Sequence, residues 1–230
     1  MKILGLIVAR GGSRGVPGKN IKKLGGRPLL NYTIESALAA NFLTEVALSS
    51  DDDMIIETAK KLGISVPFKR PSNLAEDDTS SLAVIQHALR FYIDKGKNFD
   101  AVCLLQPTTP FRADGLIDQA ITKFKSSNFD SLISVREIPS EYNPHWAFEK
   151  KDGILKIATG EQQPISRRQE LPPAYYRDGA IYLTKTEIIL KKNSLLGEKI
   201  GFIETLGNEH INIDTPQDWK RAENILKDNK

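Results

Sequence analysis

The sequence predicts an α/β fold in three layers, with a mainly parallel sheet covered by helices on both faces. Short apolar runs alternate with longer amphipathic ones through the first half of the chain, and this rhythm belongs to parallel sheets built from strand–helix–strand units. The runs Ile3–Ala9 and Ala101–Leu105 carry no charged or polar side chain apart from one thiol, as strands buried on both faces require. The chain has 230 residues, 40% hydrophobic and 27% charged, enough for one domain with a full core and a small appended piece.

The elements follow in order. Ile3–Ala9 is the first strand, and Arg10–Asn20 is a loop by composition. Leu29–Ala40 has helical periodicity. Glu45–Ser50 is a second strand that runs into Asp51, Asp52 and Asp53. Asp53–Leu62 is a helix stopped by Gly63. A short strand is expected over Ser65–Phe68 and a longer helix over Ser80–Lys95. Ala101–Leu105, Asp114–Ser126 and Ser131–Val135 continue the alternation as strand, helix and strand. From Glu137 the rhythm breaks: Pro139, Pro144, Pro164, Pro172 and Pro173 fall within 35 residues, among Trp146 and several tyrosines. Alternation returns at Ala180–Leu183 and Ile200–Glu204, and Pro216–Lys227 is the last helix. The irregular stretch therefore reads as an excursion inserted into the sheet domain.

Composition excludes several classes. A net charge of +3 is too small to argue for a nucleic-acid partner. The single cysteine, Cys103, rules out an internal disulfide and sits in an apolar run, where a buried inert thiol is expected. No stretch approaches the about 20 apolar residues of a membrane span, and the apolar start is too short for a signal peptide. A cytoplasmic protein with no membrane partner is expected.

The loop after the first strand carries the chemistry. It reads Ala9-Arg10-Gly11-Gly12-Ser13-Arg14-Gly15-Val16-Pro17-Gly18-Lys19-Asn20. In open α/β sheets, ligands bind beyond the carboxyl ends of the strands. Glycines let backbone N–H groups approach such a ligand, and Arg10, Arg14 and Lys19 add positive charge, so a polyphosphate fits. The loop is not a Walker A motif, because five residues separate Gly12 from Gly18 and Asn20 follows Lys19. It also lacks the G-x-G-x-x-G dinucleotide pattern.

Further segments stand in order behind it: Arg70-Pro71 with Asp78-Thr79-Ser80-Ser81, then Leu105-Gln106-Pro107-Thr108-Thr109-Pro110-Phe111-Arg112, then Arg167-Arg168-Gln169 with Gly179-Ala180-Ile181-Tyr182, and Ile213-Asp214-Thr215. Together these resemble the acylneuraminate cytidylyltransferases, the CMP-sialic acid synthetases, over nearly the whole chain. The resemblance implies a Rossmann-like fold of the nucleotide-diphospho-sugar transferase type. It implies a single cytidylyltransferase domain over 1–230 with an inserted lobe over about 138–178, used in dimerisation and sugar contact. The implied reaction moves CMP from CTP to the anomeric hydroxyl of a nonulosonic acid and releases pyrophosphate. Mg²⁺ or Mn²⁺ is the implied cofactor, CTP and an acidic sugar the partners, and a homodimer the assembly.

The resemblance also implies roles. Arg10 and Lys19 bind the triphosphate and stabilise the leaving group. Ala9, Gly12, Ser13 and Asn20 complete the nucleotide contacts of the loop, and Arg70, Thr79 and Ser81 help form the cytidine pocket. Gln106 stands at the nucleotide–sugar junction. Arg168 meets the sugar carboxylate, in a neighbouring subunit's site, and Tyr182 contacts the sugar. Asp214 is the metal ligand, assisted by Asn212, where the family often has a second aspartate. Plainer roles stand beside these: a surface ion pair for Arg70, helix capping for Thr79, Ser81 and Asp214, and either structure or a carboxylate contact for Arg112. Tyr142, Trp146, Tyr175 and Tyr176 fit an interface or a small satellite core. His145 and His210 have no partner at metal-ligand spacing. The segment Asn143-Pro144-His145-Trp146 departs from the sialic acid pattern, which points toward a relative of neuraminic acid. Two alternatives remain open: guanylyl or cytidylyl transfer to another sugar, such as 3-deoxy-octulosonate or a sugar phosphate, and a non-catalytic nucleotide-binding relative.

Overall fold

A computed structural model describes residues 1–207 and 210–228. Its strands and helices run β1 (Ile3–Val8), β2 (Lys23–Leu24), β3 (Arg27–Pro28), α1 (Leu29–Leu38), β4 (Glu45–Ser49), α2 (Asp53–Lys61), α3 (Ser81–Asp94), β5 (Ala101–Leu105), α4 (Leu116–Lys125), β6 (Ser131–Glu137), β7 (Phe148–Lys151), β8 (Ile154–Ile157), β9 (Tyr175–Lys185), α5 (Thr186–Lys191), β10 (Ile200–Glu204) and α6 (Pro216–Asp228). The main sheet has six strands in the order β10-β6-β9-β5-β1-β4. β1 pairs in parallel with β4 and β5, and β9 runs antiparallel to β5. The fold is thus the Rossmann-like, mainly parallel one that the sequence predicts.

The period of a strand explains the layers. Ile3 and Ile7 of β1 and Ala101, Cys103 and Leu105 of β5 face one way and pack with α1, α2 and α4. Leu4, Leu6, Val102 and Leu104 face the other way and pack with α3 and α5. Both faces are therefore sealed, and an all-apolar strand is the only economical sequence for such a position. A third apolar cluster joins Val16, Leu24, Leu29 and Tyr32 to Ile213 and Trp219. It anchors the far end of the Arg10–Asn20 loop and the approach to α6 in one body.

Several boundaries differ from expectation. The strand expected over Ser65–Phe68 reduces to one bridge between Ala47 and Ser65, because Pro67 has no N–H to continue a ladder. α4 begins at Leu116, since Gly115 takes a left-handed φ of 71° just before it. β9 spans 11 residues rather than the four apolar ones; its first three are exposed and leave no apolar run to read.

The chain divides into two compact units, one of Met1–Ser134 with the segment from Asp178 onward, the other of Val135–Arg177. The second unit holds a hairpin of β7 and β8 whose turn residues Asp152 and Gly153 have φ of 52° and 82°. Two positive φ values define a type I′ turn, for which Asp-Gly is a preferred pair. Asn143 braces this unit: its Oδ1 accepts from His145 N at 3.1 Å and its Nδ2 donates to Pro172 O at 3.0 Å. Trp146 Nε1 donates to Ile165 O at 2.6 Å. No described helix is long and apolar enough to cross a membrane.

The ring of Phe124 on α4 is among the largest fully buried side chains. Phe124→Ala should cost about 3–5 kcal/mol of stability, read from the midpoint of urea unfolding.

Candidate functional site

β1 ends at the loop that the sequence singles out, and hydrogen bonds fix the loop on all sides. Ala9 N donates to Ser49 O at 3.1 Å, which prolongs the β1–β4 pairing by one residue. Gly11 N donates to Asp51 Oδ1 at 3.2 Å, and a Cβ on Gly11 would press on the Asp52 carboxylate. Buried Asn20 donates from Nδ2 back to Arg10 O at 2.9 Å and so closes the loop on itself. Gly18 turns the chain with a φ of 62°. A Cβ on Gly15 would collide with the Asp214 carbonyl oxygen, so only glycine lets the loop lie against the Asn212–Thr215 segment.

Two other segments are laced to the loop. Lys19 Nζ donates to Ile213 O at 2.7 Å and to Asp214 Oδ1 at 3.1 Å. Two of its three ammonium protons are thereby engaged, and one remains for a ligand oxygen. Ile213 N donates to Thr108 O at 2.8 Å, which docks the same segment on the turn after β5. That turn is held from below by Arg112, which is buried. Its Nε donates to Ala180 O at 2.9 Å, its Nη1 to Thr33 Oγ1 at 2.9 Å and its Nη2 to Gln106 O at 2.7 Å. Burial pulls its pKa down to about 10, against the opposing pull of Cys103 and Asp178. All three of its guanidinium nitrogens thus donate within the protein.

These segments enclose a cleft of about 450 Å³ in the first unit, a size typical of small-molecule sites. Its lining includes Arg10, Ser13, Lys19, Asn20, Arg70, Thr79, Ser81, Gln106 and Asp214. Nine residues expected from four separate stretches of sequence thus meet in one place. Arg14, Glu76, Asp77 and Thr108 join them.

The electrostatics suit a polyanion, with one internal counter-ion already present. Arg10 Nη2 lies 2.7 Å from Asp77 Oδ1, and Arg14 Nε pairs with the other oxygen of that carboxylate. Desolvation acts to raise the Asp77 pKa, but hydrogen bonds from Arg10 and Arg14 and their charges outweigh it and hold the carboxyl below its ordinary value. Arg70 is 5% exposed; its Nη2 donates to Ser49 O at 2.7 Å and its Nη1 to Leu74 O at 3.3 Å. Burial lowers its pKa to about 10, with Asp51 raising and Arg10 further lowering it. It is not the surface ion-pair residue that a lone strand-end arginine suggests.

Capping is assigned elsewhere than the expected residues. Ser80 caps α3 by accepting from Ala83 N at 3.2 Å. Thr79 and Ser81 are left to line the cleft, Thr79 with a long contact of 3.5 Å to Asn73 O. At α6, Thr215 Oγ1 accepts from Asp218 N at 3.2 Å while Asp218 Oδ2 accepts from Thr215 N at 2.8 Å. This reciprocal pair is a capping box with Pro216 at the first helical position. The exposed Asp214 carboxylate takes no part in it, and receives Lys19 and Asn212 Nδ2, the latter at 2.6 Å.

Other expected residues lie outside the cleft lining. The Ala9 side chain is in the core. Gly12 stands in open space, where a Cβ would meet nothing within 4 Å. Asn212 reaches the cleft only through Asp214. Tyr182 pairs in register with Leu104 on β5 and is half-buried on the α3 face of the sheet, the face on which Val8, a cleft-lining residue, also packs. Arg168 belongs to the second unit, where its Nε donates to Ser140 Oγ at 2.9 Å and it lines a cleft of about 340 Å³. Among the described residues, no group of three or more His, Cys, Asp or Glu gathers as a metal site. One exposed carboxylate beside a phosphate-sized space still suits Mg²⁺, which takes one or two protein carboxylates and completes its shell with phosphate and water.

Known proteins resemble the chain along its whole length. A family model described as Cytidylyltransferase matches residues 4–216. The chain is 36% identical over 229 residues to a pseudaminic acid cytidylyltransferase of Campylobacter jejuni subsp. jejuni serotype O:2, covering 100% of this chain and 98% of that one. It is 32% identical over 234 residues to a CMP-N,N'-diacetyllegionaminic acid synthase of Legionella pneumophila subsp. pneumophila, covering 100% and 98%. Among solved structures, a CMP:2-keto-3-deoxy-manno-octonic acid synthetase complexed with CTP superimposes with a TM-score of 0.76 at 16% identity, covering 100% of both chains.

Asp77 occupies the cations that an incoming polyanion needs. Asp77→Asn should tighten the binding of pyrophosphate by about two- to fivefold, measured by calorimetry at fixed ionic strength.

Proposed function

The chain belongs to the cytidylyltransferase family, and from that premise we propose that it transfers CMP from CTP to the anomeric hydroxyl of a nonulosonic acid. The observation that carries the reading is the cleft itself, which gathers Arg10, Lys19, Arg70, Gln106 and Asp214 beyond the carboxyl ends of β1 and β5. The sugar oxygen attacks the α-phosphorus, the bond from that phosphorus to the bridging oxygen breaks, pyrophosphate leaves, and the hydroxyl proton passes to water. Negative charge moves onto the leaving group, so cations already in place lower the barrier. Lys19 keeps one N–H for that purpose, and Arg10 is released to it when Asp77 yields. Asn20 and the Arg112-held Gln106 carbonyl keep the loop and the amide of Gln106 in place, which orients the two substrates.

Asp214 would hold a divalent ion, Mg²⁺ or Mn²⁺, with Asn212 orienting a coordinated water. When bound, such an ion supplies charge neutralisation across the phosphate oxygens. Arg168, a guanidinium suited to a fork on a carboxylate, is the group proposed for the acid function of the sugar. The relatives that share 36% and 32% identity act, by name, on pseudaminic and diacetyllegionaminic acids, and so favour a relative of neuraminic acid as the acceptor. Likeness to the octonic acid synthetase is 16% and bears on fold alone, which leaves the octulosonate alternative behind. A reaction that consumes CTP belongs in the cytoplasm. The second unit exposes Tyr142, Phe148, Ile154 and Leu155, an apolar set suited to a homodimer contact.

Incubation with CTP, Mg²⁺ and either pseudaminic or legionaminic acid should release pyrophosphate, and no release with any nonulosonic acid would overturn the reading. Arg10→Ala should lower turnover by about 10²-fold or more while the thermal midpoint stays near that of the parent protein. Ile154→Lys should shift the sedimentation coefficient from dimer to monomer.

A further inference from the structure

Gln106 lines the cleft, and hydrogen bonds fix its backbone. Arg112 Nη2 and Thr109 N donate to its carbonyl oxygen at 2.7 and 3.3 Å. Among the described residues, no hydrogen bond holds its side chain. The carboxamide nonetheless has a defined neighbour, and that neighbour is a glycine. A Cβ built on Gly179 would stand 3.6 Å from Gln106 Oε1 and 3.0 Å from Thr109 Oγ1, with Gln106 Nε2 beyond 4 Å. The amide thus turns its oxygen toward the Gly179 α-carbon and its nitrogen away from it. An α-carbon offers only C–H groups, weak donors that suit a carbonyl oxygen better than an N–H2 group.

The backbone around Gly179 is held in place. Ala180 N donates to the buried Asp178 carboxylate at 3.0 Å, and Ala180 O accepts from Arg112 Nε at 2.9 Å. The same guanidinium holds Gln106 O, so one cation fixes the chain on both sides of the gap. Gly179 has a φ of 84°, in the left-handed region that glycine adopts without strain. Thr109 is 1% exposed and closes the gap on another side. A methyl group on Gly179 would meet Gln106 Oε1 at an ordinary contact distance and press only on Thr109. A side chain that extends beyond the Cβ competes with the carboxamide for its space.

We propose that Gly179 is a positioning residue for Gln106: its missing side chain leaves the slot in which the carboxamide lies, with the oxygen against Gly179 and the two N–H donors offered to an oxygen of the acceptor sugar. Gly179 makes no contact with the substrate and acts through Gln106 alone. Glycine is thus required here for two separable reasons, the backbone angle and the empty slot, and two substitutions tell them apart. Alanine strains the angle and spares the slot. Asparagine tolerates a left-handed φ better than alanine does, yet its side chain reaches into the slot.

The effect on the acceptor rests on the cytidylyltransferase reading, whereas the slot itself does not. The test therefore has two readouts. The side-chain amide resonance of Gln106, assigned by its loss in Gln106→Glu, is followed by nitrogen-15 NMR. The KM for pseudaminic or legionaminic acid is measured by pyrophosphate release, and CTP affinity by calorimetry. In Gly179→Asn the resonance should move and the acceptor KM should rise by about tenfold or more, with CTP affinity within about twofold of the wild type. In Gly179→Ala both should stay near the wild type, although its thermal midpoint falls further than that of Gly179→Asn. An acceptor KM raised as much by alanine as by asparagine overturns the proposal, and so does a Gln106 resonance unmoved in a folded Gly179→Asn. Should Gly179→Asn fail to fold, the wild type decides: a proton cross-peak between the Gly179 α-carbon and the Gln106 side chain is expected, and its absence overturns the proposal equally. A wild type that releases no pyrophosphate with either acid, while the resonance still responds to Gly179→Asn, upholds the slot and overturns the acceptor reading.

Discussion

One enclosed guanidinium organises the substrate edge of this protein. Arg112 reaches a hydroxyl on α1, a carbonyl on β9 and the carbonyl of Gln106 at the end of β5. Hydrogen bonds from a charged donor are stronger than neutral ones, and burying a cation without them would be prohibitive. The three acceptors are therefore compelled to keep their places. Because the turn after β5 is fixed in this way, Thr108 O can hold Ile213 N, and Ile213 O can hold Lys19. The chain of dependence runs from a core residue to the Arg10–Asn20 loop through four backbone groups. Asp178 adds a negative charge near Arg112 and is itself satisfied by Ser134, Ala180 N and Thr205. The antiparallel strand between β5 and β6 is thus a carrier of buried polar partners as well as a member of the sheet.

The Arg10–Asn20 loop is built differently from a Walker A loop. Its conformation is set by contacts to fixed neighbours: Asn20 against Arg10 O, Gly11 against Asp51, Gly15 against the Asp214 carbonyl. The cations come from several elements, and acidic side chains are interleaved with them. Glu76, Asp77 and Asp214 line the same cleft as Arg10, Arg14, Lys19 and Arg70. Such interleaving limits repulsion among the cations when no ligand is bound. It also leaves room for a polyanion to exchange with a side-chain carboxylate without unfolding anything around it.

Much of this was legible in the residues. Strands buried on both faces need apolar runs, so β1 and β5 announced themselves, and the glycine-and-cation loop could be placed at the ligand edge from topology alone. The parts that were not legible share a cause: they depend on who lies opposite. Neither Thr79 nor Ser81 caps α3, because Ser80 between them does; propensity cannot choose among adjacent hydroxyls. The acidic partner of Arg10 is Asp77, whose neighbours Asp78 and Glu76 are equally plausible in a one-dimensional string. Tyr182 sits in a segment that resembles a sugar-binding motif, and only the β9–β5 register shows which face of the sheet its half-buried ring takes. The hairpin of the second unit does have a sequence signal. Asp152-Gly153 between two short runs marks a hairpin, and the surrounding prolines obscured it.

Cys103 gives the protein a practical property. It is fully buried on β5, and desolvation pushes its thiol pKa up to about 12, against the lowering effect of Arg112. A thiol so placed is silent toward alkylating reagents while the fold persists. No other cysteine occurs in the chain. The native protein thus behaves as a thiol-free background, and a cysteine introduced at any exposed position becomes the sole attachment point for a fluorophore or spin label. A label placed in this way reports on its surroundings with the core left untouched.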